Sequence, residues 1–587
     1  MALYKLKKLI QKYWHWLAIL LLAVTFFIFA SSFVFLTQSN SFVKWSSPDA
    51  TANYVFAKLY GETGEISIFE KNNLEVNDII HPRSLRSDNG LIKPVSFLGI
   101  IIIYGKIVSL TSFKVLPYLT PLIAAFGIIF YFLFVQKIFG KKNAMVSTFI
   151  LASFPVYLYY SSRSMFHNIL FMSLLMIGFY YLLLIVKSRR KYLPLLHSAL
   201  AGSFIGLAII IRTSELIWLG PILIIAWLFN IRKVGITKLI IFLSFLFISV
   251  LPIMSWNQIL NGSFFSFGYP EINQSIYEIK ETTSEIIGNT VVGELAYHKE
   301  LFNNIKSNIF YFGLHPKDSI KMFYYYFIDM FPWLFWLAFF GLFLFVQDIK
   351  KWKRKHWVYV INFFVLSIIL VLYYGSWEFH DNPDKSQVTI GNSYTRYWLP
   401  IYLGAIPLLS LFLNRFLKAI FPKKKPIQQD ILLPKTKNFF NKIDNKYIIN
   451  SIIIIFVSIV SVYSINFVLF GSEEGLVYTY YKNNATRQEY TEVMNLTETN
   501  SVIITRYHDK LFFPERKVIV GLFDDDKMNV RYAKLVDLLP VYYYNFSFRE
   551  ADIEYLNNSR FKDINLRIEK VKKINKDFSL YRLVGRE

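Results

Sequence analysis

The feature that most constrains this chain is a series of apolar segments, each long enough to cross a lipid bilayer as a helix. The first covers residues 14–36, WHWLAILLLAVTFFIFASSFVFL, and similar segments follow along the 587 residues. A transmembrane helix needs about 20 mostly apolar residues to span a hydrocarbon core of roughly 30 Å. With 54% hydrophobic residues, the chain is also more apolar than ordinary soluble enzymes. We therefore predict a mainly α-helical, polytopic membrane protein.

Lysine and arginine are concentrated in the short loops between these segments and give the chain a net charge of +24. Basic loops of membrane proteins face the cytoplasm, so topology explains the charge and no nucleic-acid partner is expected. The same rule places the N-terminus on the cytoplasmic side of the plasma membrane, because Lys5, Lys7, Lys8 and Lys12 precede the first segment. The absence of cysteine excludes disulfide bonds and thiolate nucleophiles.

One apolar segment, residues 95–110, does not fit a full crossing. If it crossed the membrane, the basic loop QKIFGKKN that follows the next segment would lie outside. The segment is short and contains Lys106, which is costly at bilayer depth. We therefore predict that it dips into the outer leaflet without crossing. About eleven spans remain: 14–36, 116–135, 144–160, 169–186, 195–211, 214–229, 239–256, 322–345, 357–374, 397–413 and 447–469.

This topology divides the chain into a membrane domain, residues 1–470, and an extracytoplasmic tail, residues 471–587. The membrane domain has a first external loop, 37–94, and a second large external loop, 257–320. Short runs rich in branched and aromatic residues, SVIIT, KVIV, VYYYNF and FSLYRLV, predict strands in the tail. The stretch KMNVRYAKLVDLL between two of them predicts a helix. The tail is therefore predicted to be a small α/β domain.

One acid and three arginines fall at the outer face in this topology. Asp49 follows the first span, whereas Arg163, Arg212 and Arg396 lie at the outer ends of later spans. Arginine binds phosphate oxygens through its planar fork of donors. An acid beside such a cluster is suited to act as a general base while phosphate leaves. The same residues have a simpler interpretation, in which Asp49 caps a helix and the arginines extend to lipid headgroups. For Arg396, neighbouring aromatic residues would then form an interfacial belt.

Several stretches of the sequence resemble the GT-C glycosyltransferases, in order over roughly residues 14–420. SPDATANYVFAK is similar to the D-x4-Y-x2-A opening of that family's first external loop, and IHPRSLRSDNGLIKPVSFLGIIIIYG to the segment after it. YYSSRSMFHNIL resembles the S-R-x4-acid passage, HSALAGSFIGLAIIIRTSELIWLGP the G-x3-G-x5-R stretch, and SYTRYWLPIYLGAIPLL the late R-Y-x2-P. Protein O-mannosyltransferases and the aminoarabinose transferase of lipid A are the relatives that the pattern most resembles.

The resemblance implies that Asp49 is the general base and that the arginines hold a polyprenyl-phosphate. The further substrate-binding candidates are Tyr54, Lys93, His167 and Asn168. Two positions depart from the family pattern, because the acid expected after Asp49 is Ala50 and the acid expected after S-R-x4 is Asn168. No cofactor is certain, and these departures put a divalent cation (Mg or Mn) in doubt. Other acids in the first loop could still supply a second carboxylate: Glu62, Glu65, Asp78 and Asp88.

The sequence thus predicts a membrane glycosyltransferase that moves a sugar from a polyprenyl-phosphate carrier to an acceptor hydroxyl of a protein, lipid or glycan. The alternative is a transporter or glycolipid flippase without transfer chemistry. A transporter is expected to place its charges near the bilayer midplane and to show internal repeats. The sequence shows the charges at the outer boundary and no clear inverted repeat. It names neither the sugar nor the acceptor.

Overall fold

The computed structural model describes residues 2–39, 42–45, 47–187, 192–264, 313–379, 381, 387–422, 445–471 and 474–586. Most of the predicted second external loop lies outside these residues, as do the basic stretches 188–191 and 423–444. Helices dominate the described residues: α1 (Ala2–Thr37), α2 (Pro48–Thr63), α3 (Gly99–Leu110), α4 (Leu116–Phe139), α5 (Lys141–Ser153), α6 (Pro155–Arg163), α7 (His167–Lys187), α8 (Leu193–Ile211), α9 (Leu216–Asn261), α10 (Pro316–Phe323), α11 (Pro332–Gln347), α12 (Arg354–Gly375), α13 (Ser393–Tyr397), α14 (Leu399–Ile420), α15 (Asn445–Phe470), α16 (Leu476–Leu496), α17 (Asp509–Phe512), α18 (Asp526–Val536) and α19 (Glu550–Tyr555).

Eight of these described helices are long and apolar enough to cross a membrane, and two bent helix pairs bring the number to ten. The 46 residues of α9 would extend about 69 Å, more than twice the hydrocarbon thickness. The helix is interrupted at Gly235, where φ is 65° and ψ is 176°. Beyond that point the chain returns along α8, and the backbone of Phe242 lies against Gly202. If each half of α9 and each bent pair is counted as one span, the described residues contain eleven candidate spans, the number predicted.

The bent pairs correct two predicted spans. The span predicted over 322–345 is not one helix, because the chain turns by 98° between the helical segment Pro316–Asp329 and α11. The span predicted over 144–160 bends by 49° between α5 and α6. Both bends lie at a Phe-Pro pair, and proline lacks the N–H that a continuous helix requires. The preceding residues, Phe154 and Phe331, have non-helical backbone angles.

The predicted membrane-dipping segment is the short helix α3. Its 12 residues extend about 18 Å, which is too short to cross a bilayer. Two glycines let neighbouring backbones come close: a Cβ on Gly99 would lie 2.3 Å from the Ile210 carbonyl, and one on Gly105 would lie 2.9 Å from the Ala57 carbonyl. The segment is therefore wedged between α2 and α8, and Lys106 is exposed.

Two sheets lie outside the spanning helices. In the first external loop, β1 (Ile68–Phe69), β2 (Leu85–Asp88) and β3 (Leu91–Pro94) form an antiparallel sheet in the order β1-β3-β2. The tail has a five-stranded sheet in the order β5-β4-β6-β8-β7, parallel between β4 and both of its neighbours and antiparallel elsewhere. Its strands are β4 (Val502–Thr505), β5 (Lys517–Val520), β6 (Val541–Phe546), β7 (Leu566–Lys573) and β8 (Phe578–Gly585).

The predicted α/β character of the tail is confirmed, with two elements that the sequence did not indicate. Strand β7, LRIEKVKK, buries only Leu566 and Ile568 before a run of exposed residues, so its apolar signal is weak. Helix α16 is long and mostly polar, and it follows α15 directly in the chain. The predicted helix appears as α18.

The first external loop and the tail share one hydrophobic core. Val76 and Ile80 of the loop are each 1% exposed and pack among residues of the tail sheet. An isolated parallel bridge joins His81 to Ile519 of β5. The tail therefore fixes the position of the loop that contains Asp49.

Candidate active site

Asp49 lies in the first turn of α2, where its carboxylate is half-buried. The N-cap of this helix is Ser47, so the interpretation of Asp49 as the cap is wrong. Its Oδ1 instead accepts a hydrogen bond from Ser84 Oγ at 2.6 Å. The carboxylate is thus oriented by the first loop and remains partly accessible.

The tail holds Arg83, the residue before Ser84, in position through hydrogen bonds. The backbone N of Arg83 donates to Asp509 Oδ2 at 3.0 Å, and its Nε donates to Asp509 Oδ1 at 3.1 Å. Burial alone would raise the pKa of the Asp509 carboxyl, but the hydrogen bonds and charge of Arg83 hold this pKa below its ordinary value. Ser84 itself has φ 64°, an unusual angle for a residue with a side chain. A contact 426 residues away in the chain therefore supports the loop beside Asp49.

The three predicted arginines meet in a ladder of alternating guanidinium groups and aromatic rings. Arg163 and Arg396 both contact the ring of Phe166, at 5.6 and 5.3 Å from its centroid. Arg396 and Arg212 both contact the ring of Tyr397, at 5.2 and 4.7 Å. Cations within about 6 Å of a ring face are attracted by its quadrupole. The rings also separate the like charges, so three distant parts of the sequence converge at one site.

Arg212 is the most enclosed arginine of this ladder and is 4% exposed. Its Nε donates to Glu215 Oε1 at 2.8 Å, and Tyr374 OH donates to the same oxygen at 2.7 Å. Trp218 Nε1 donates to the other carboxylate oxygen. Arg212 is therefore not extended to lipid headgroups, and Glu215 already neutralises its charge.

Arg396 retains donor capacity for a ligand. One terminal nitrogen donates to Ser393 Oγ at 2.7 Å. Its Nε is buried and has no hydrogen-bond partner among the described residues. Buried polar groups normally have partners, so Arg396 Nε is a donor with unused capacity to bind an anion. The aromatic-belt interpretation also fails here, because Tyr397 is 7% exposed and stacks on Tyr374 with centroids 4.3 Å apart.

Arg163 is half-buried at the end of α6, and its Nη1 donates to Tyr159 OH at 2.7 Å. It also lines a small cavity together with Ser47 and Ala50, the residues on either side of the Pro48–Asp49 pair. Thr479 of α16 lines the same cavity. The tail therefore borders a cavity that reaches Arg163 and Phe166 of the ladder.

His167 and Asn168 lie within the same cluster. His167 Nε2 is 3.2 Å from the Phe97 carbonyl, to which it donates, so Nδ1 is free to accept. Asn53 Nδ2 donates to that Nδ1 at 3.5 Å and to the Met165 carbonyl at 3.0 Å. Asn168 Nδ2 donates to the Arg396 carbonyl at 3.2 Å. Asp49 lies within electrostatic range of both His167 and Arg396.

Sequence reasoning missed several residues of this site. Asn53 follows Asp49 by one helical turn, and the i, i+4 spacing could have indicated that both share a face. Glu215 follows Arg212 by three residues, which is also a readable spacing. No local signal indicated Ser84 or Phe166, because their roles depend on chain segments that are distant in sequence.

Two predicted residues lie elsewhere. Tyr54 packs against Trp45 with ring centroids 6.2 Å apart, and burial together with Glu515 and Glu62 raises its pKa to about 12. Lys93 Nζ donates to the Leu260 carbonyl at 2.7 Å and pairs with Asp88 at 3.5 Å. The structure thus gives Lys93 contacts with α9, and its predicted contact with phosphate stays a prediction.

The donor set does not fit a divalent cation. Among the described residues, no group of three or more His, Asp or Glu side chains is placed to hold a metal ion. Mg²⁺ and Mn²⁺ prefer clustered oxygen ligands, whereas Arg396, a cation, lies within electrostatic range of Asp49. Of the possible second acids, Asp78 accepts hydrogen bonds from the backbone N of Asn89 and Gly90 in the β2–β3 turn.

Comparisons with known proteins agree with this architecture. The family described as dolichyl-phosphate-mannose-protein mannosyltransferase matches residues 98–256. Apo ArnT from Cupriavidus metallidurans has a TM-score of 0.51 and 10% identity, covering 94% of this chain and 97% of that chain. ArnT bound to undecaprenyl phosphate gives 0.50 and 10%, covering 97% and 98%. The oligosaccharyltransferase AglB from Archaeoglobus fulgidus, with an inhibitory peptide and a dolichol-phosphate, gives 0.50 and 12%, covering 94% and 71%.

No curated protein matches the chain by sequence. At 10–12% identity, the solved structures establish the fold. Together with the family match, they confirm the resemblance to GT-C enzymes that the sequence motifs indicated.

Proposed function

We propose that this chain transfers a sugar from a polyprenyl-phosphate carrier to an acceptor hydroxyl at the outer face of the membrane. The observation that carries the proposal is the half-buried Asp49 within electrostatic range of an arginine ladder that contains an orphan donor, Arg396 Nε. A site with one carboxylate and several guanidinium groups is suited to a reaction in which a hydroxyl loses a proton and a phosphate leaves.

In the proposed reaction, Asp49 takes the proton of the acceptor hydroxyl. The acceptor oxygen attacks the anomeric carbon, and the bond from that carbon to the phosphate oxygen breaks with its electron pair moving to the phosphate. Arg396 and Arg163 neutralise the charge that develops on the phosphate. A single displacement inverts the anomeric configuration. Arg212, already paired with Glu215, holds Tyr397 in place beside Arg396.

The known ligands of structurally similar proteins support the choice of carrier. ArnT is seen with undecaprenyl phosphate and AglB with a dolichol-phosphate and a peptide. Both ligands combine a long isoprenoid with one phosphate, which is the group that an arginine fork binds. The acceptor of this chain is left open as a protein, lipid or glycan hydroxyl.

The decisive test is the substitution Asp49→Asn, with Glu75→Gln as the matched control in the same loop. Removing a general base lowers rates by about 10²–10⁴-fold. We expect cells with Asp49→Asn to accumulate the same lipid-linked sugar as cells without the protein, measured by mass spectrometry of extracted lipids. Glu75→Gln is expected to restore the normal lipid pattern, because Glu75 is exposed. Full restoration by Asp49→Asn at normal expression would refute the role of Asp49.

A further inference from the structure

A large cavity inside the membrane region has no role in the proposed reaction. It has a volume of about 750 Å³, within the roughly 300–1,000 Å³ of typical small-molecule pockets. Side chains of α4, α7, both halves of α9, α12 and α14 form its walls, which are mostly apolar. It extends from Leu216 to Val234 along α9, a distance of about 27 Å. A cavity of this length within a bilayer is suited to a lipid chain.

All charged residues that line the cavity are basic and lie at one end. Six lysines and one arginine line it, and none of its lining residues, all within the described part of the chain, is Asp or Glu. Four of them carry the argument, namely Lys137, Lys187, Lys353 and Lys355. Lys187 lies within electrostatic range of both Lys137 and Lys355. An uncompensated group of cations attracts an anion.

The lysines at this end of the cavity are held in position, which the positive-inside rule alone does not require. Loop lysines that only mark the cytoplasmic side can spread into water to reduce repulsion. Here Lys355 Nζ is fixed, because it donates to the carbonyls of Lys137 and Ile138 at 2.6 and 2.7 Å. Lys187 of α7 lines the same end of the cavity. Three helices thus hold Lys137, Lys187, Lys353 and Lys355 together at one end of an apolar cavity, and we call this end the lysine mouth.

Two buried polar atoms in the cavity region lack partners within the described residues. They are Trp227 Nε1 and Asn362 Oδ1, on helices that both line the cavity. Each lies about 9–12 Å inside the lysine mouth, counted along its helix. Because buried polar groups normally have partners, these atoms point to a ligand with polar atoms below its charged head. The ester region of a glycerophospholipid has that character.

The opposite end of the cavity provides no site for a phosphate. Trp218 lines that end, and its indole is bonded to Glu215, the acid that neutralises Arg212. Arg163 and Arg396 are not among the lining residues. A lipid in this cavity therefore places its anionic head at the lysine mouth, away from the candidate active site.

We propose that this cavity binds an anionic glycerophospholipid, with its headgroup on the lysine mouth and an acyl chain along α9. The positive-inside rule predicts that this mouth faces the cytoplasm, so the lipid comes from the inner leaflet. The site is separate from that of the sugar carrier, and its test does not require transfer activity. A resident lipid here would hold α9 against α12 and α14.

The test is native mass spectrometry of the full chain purified from nanodiscs that contain phosphatidylglycerol and phosphatidylcholine in equal amounts. We expect one retained phosphatidylglycerol. In the variant with Lys137→Gln, Lys187→Gln, Lys353→Gln and Lys355→Gln, retention is expected to fall by about tenfold or more, since each lysine near an anionic surface contributes appreciably. The matched control changes four lysines outside the cavity: Lys141→Gln, Lys350→Gln, Lys351→Gln and Lys418→Gln.

A second variant guards against a folding defect in the lysine variant. Gly220 lines the cavity, and a Cβ there meets no atom within 4 Å, so Gly220→Trp fills the cavity without a clash at its first atom. It is expected to abolish retention while the Tm of the protein is maintained. Equal retention of phosphatidylcholine, unchanged retention in both variants, or displacement of the lipid by stoichiometric polyprenyl phosphate would each overturn the proposal. The last result would assign the cavity to the carrier.

Discussion

At the scale of single residues, the site requires that the positive charges of Arg163, Arg212 and Arg396 lie close together without strong repulsion. The rings of Phe166 and Tyr397 lie between the guanidinium groups and offer each a favourable face. Glu215 neutralises the charge of Arg212, whereas Arg396 lies within electrostatic range of Asp49. In the proposed reaction the three arginines therefore differ in role. Arg396 and Arg163 bind the phosphate from either side of Phe166, and Arg212 supports the ring of Tyr397 beside Arg396.

Replacing Arg396 is therefore expected to weaken binding of the carrier. Arg396→Gln removes the orphan Nε donor and one charge, and hydrogen bonds to charged groups contribute about 1.5–3 kcal/mol each. The expected loss of affinity for polyprenyl phosphate is about 10–100-fold, measured by thermophoresis in detergent. Arg506→Gln, an exposed arginine of the tail, is the matched control. Equal affinities in the two variants would count against a phosphate site at Arg396.

The Arg212–Glu215 pair should behave as a structural unit. Removing one partner of a buried ion pair costs about 3–5 kcal/mol, because the other charge remains buried and unpaired. We expect Glu215→Gln to lower the Tm clearly in a thermal unfolding scan. Asp552→Asn breaks the exposed pair with Arg549 and should leave the Tm nearly unchanged. A Tm for Glu215→Gln equal to that of the wild type would contradict this assignment.

At the scale of elements, hydrophobicity identified nearly every spanning helix, but proline and glycine determined their shape. The approximate positions of the spans, the short α3 and the four predicted tail strands were readable from the sequence, since each depends on a local pattern. The convergence of Asp49, Arg163, Arg212 and Arg396 was also predictable, because charge alternation between loops places all four at one face. The 98° turn before α11 was missed, although Pro332 was visible, because apolar residues continue on both sides.

The turn within α9 tests whether the backbone conformation of a glycine determines the shape of a helix. Gly235 has φ 65°, ψ 176°, a conformation essentially restricted to glycine, and a Cβ there would contact nothing. Gly235→Ala is therefore expected to lower stability through backbone strain alone, by about 1–3 kcal/mol. The control Gly220→Ala lies in regular helix with open space around it, and should leave the Tm equal or slightly higher. Thermal unfolding of both variants decides between strain and crowding.

At the scale of the whole molecule, the tail and the membrane domain meet at the first external loop. Lys44 is bonded to Glu515, Arg83 to Asp509, and Lys517 to Glu70. Val76 and Ile80 complete the core of the tail. The sequence could not indicate these contacts, because they join segments more than 400 residues apart and depend on how two folded units dock. The tail is thereby a support for the loop of Asp49.

This docking predicts a pH dependence of stability. The folded-state pKa of Asp509 lies below its ordinary value of 3.8, so its ionised form stabilises the folded chain at neutral pH. That stabilisation is lost as the pH falls from about 3.8 through the lowered pKa. We expect Asp509→Asn to lower the Tm at pH 7, and we expect its difference from the wild type to shrink progressively as the pH falls below about 3.8. A constant difference between the two proteins across this range would contradict the role of the charged carboxylate.

The most direct measurement of the central claim is a cryo-electron microscopy map of the protein in nanodiscs with polyprenyl phosphate bound. We predict density for the phosphate between Arg163 and Arg396, beside Phe166 and on the same side of the membrane as Asp49. Density for the phosphate at the lysine mouth of the cavity, or on the membrane face opposite Asp49, would contradict the proposed transferase site.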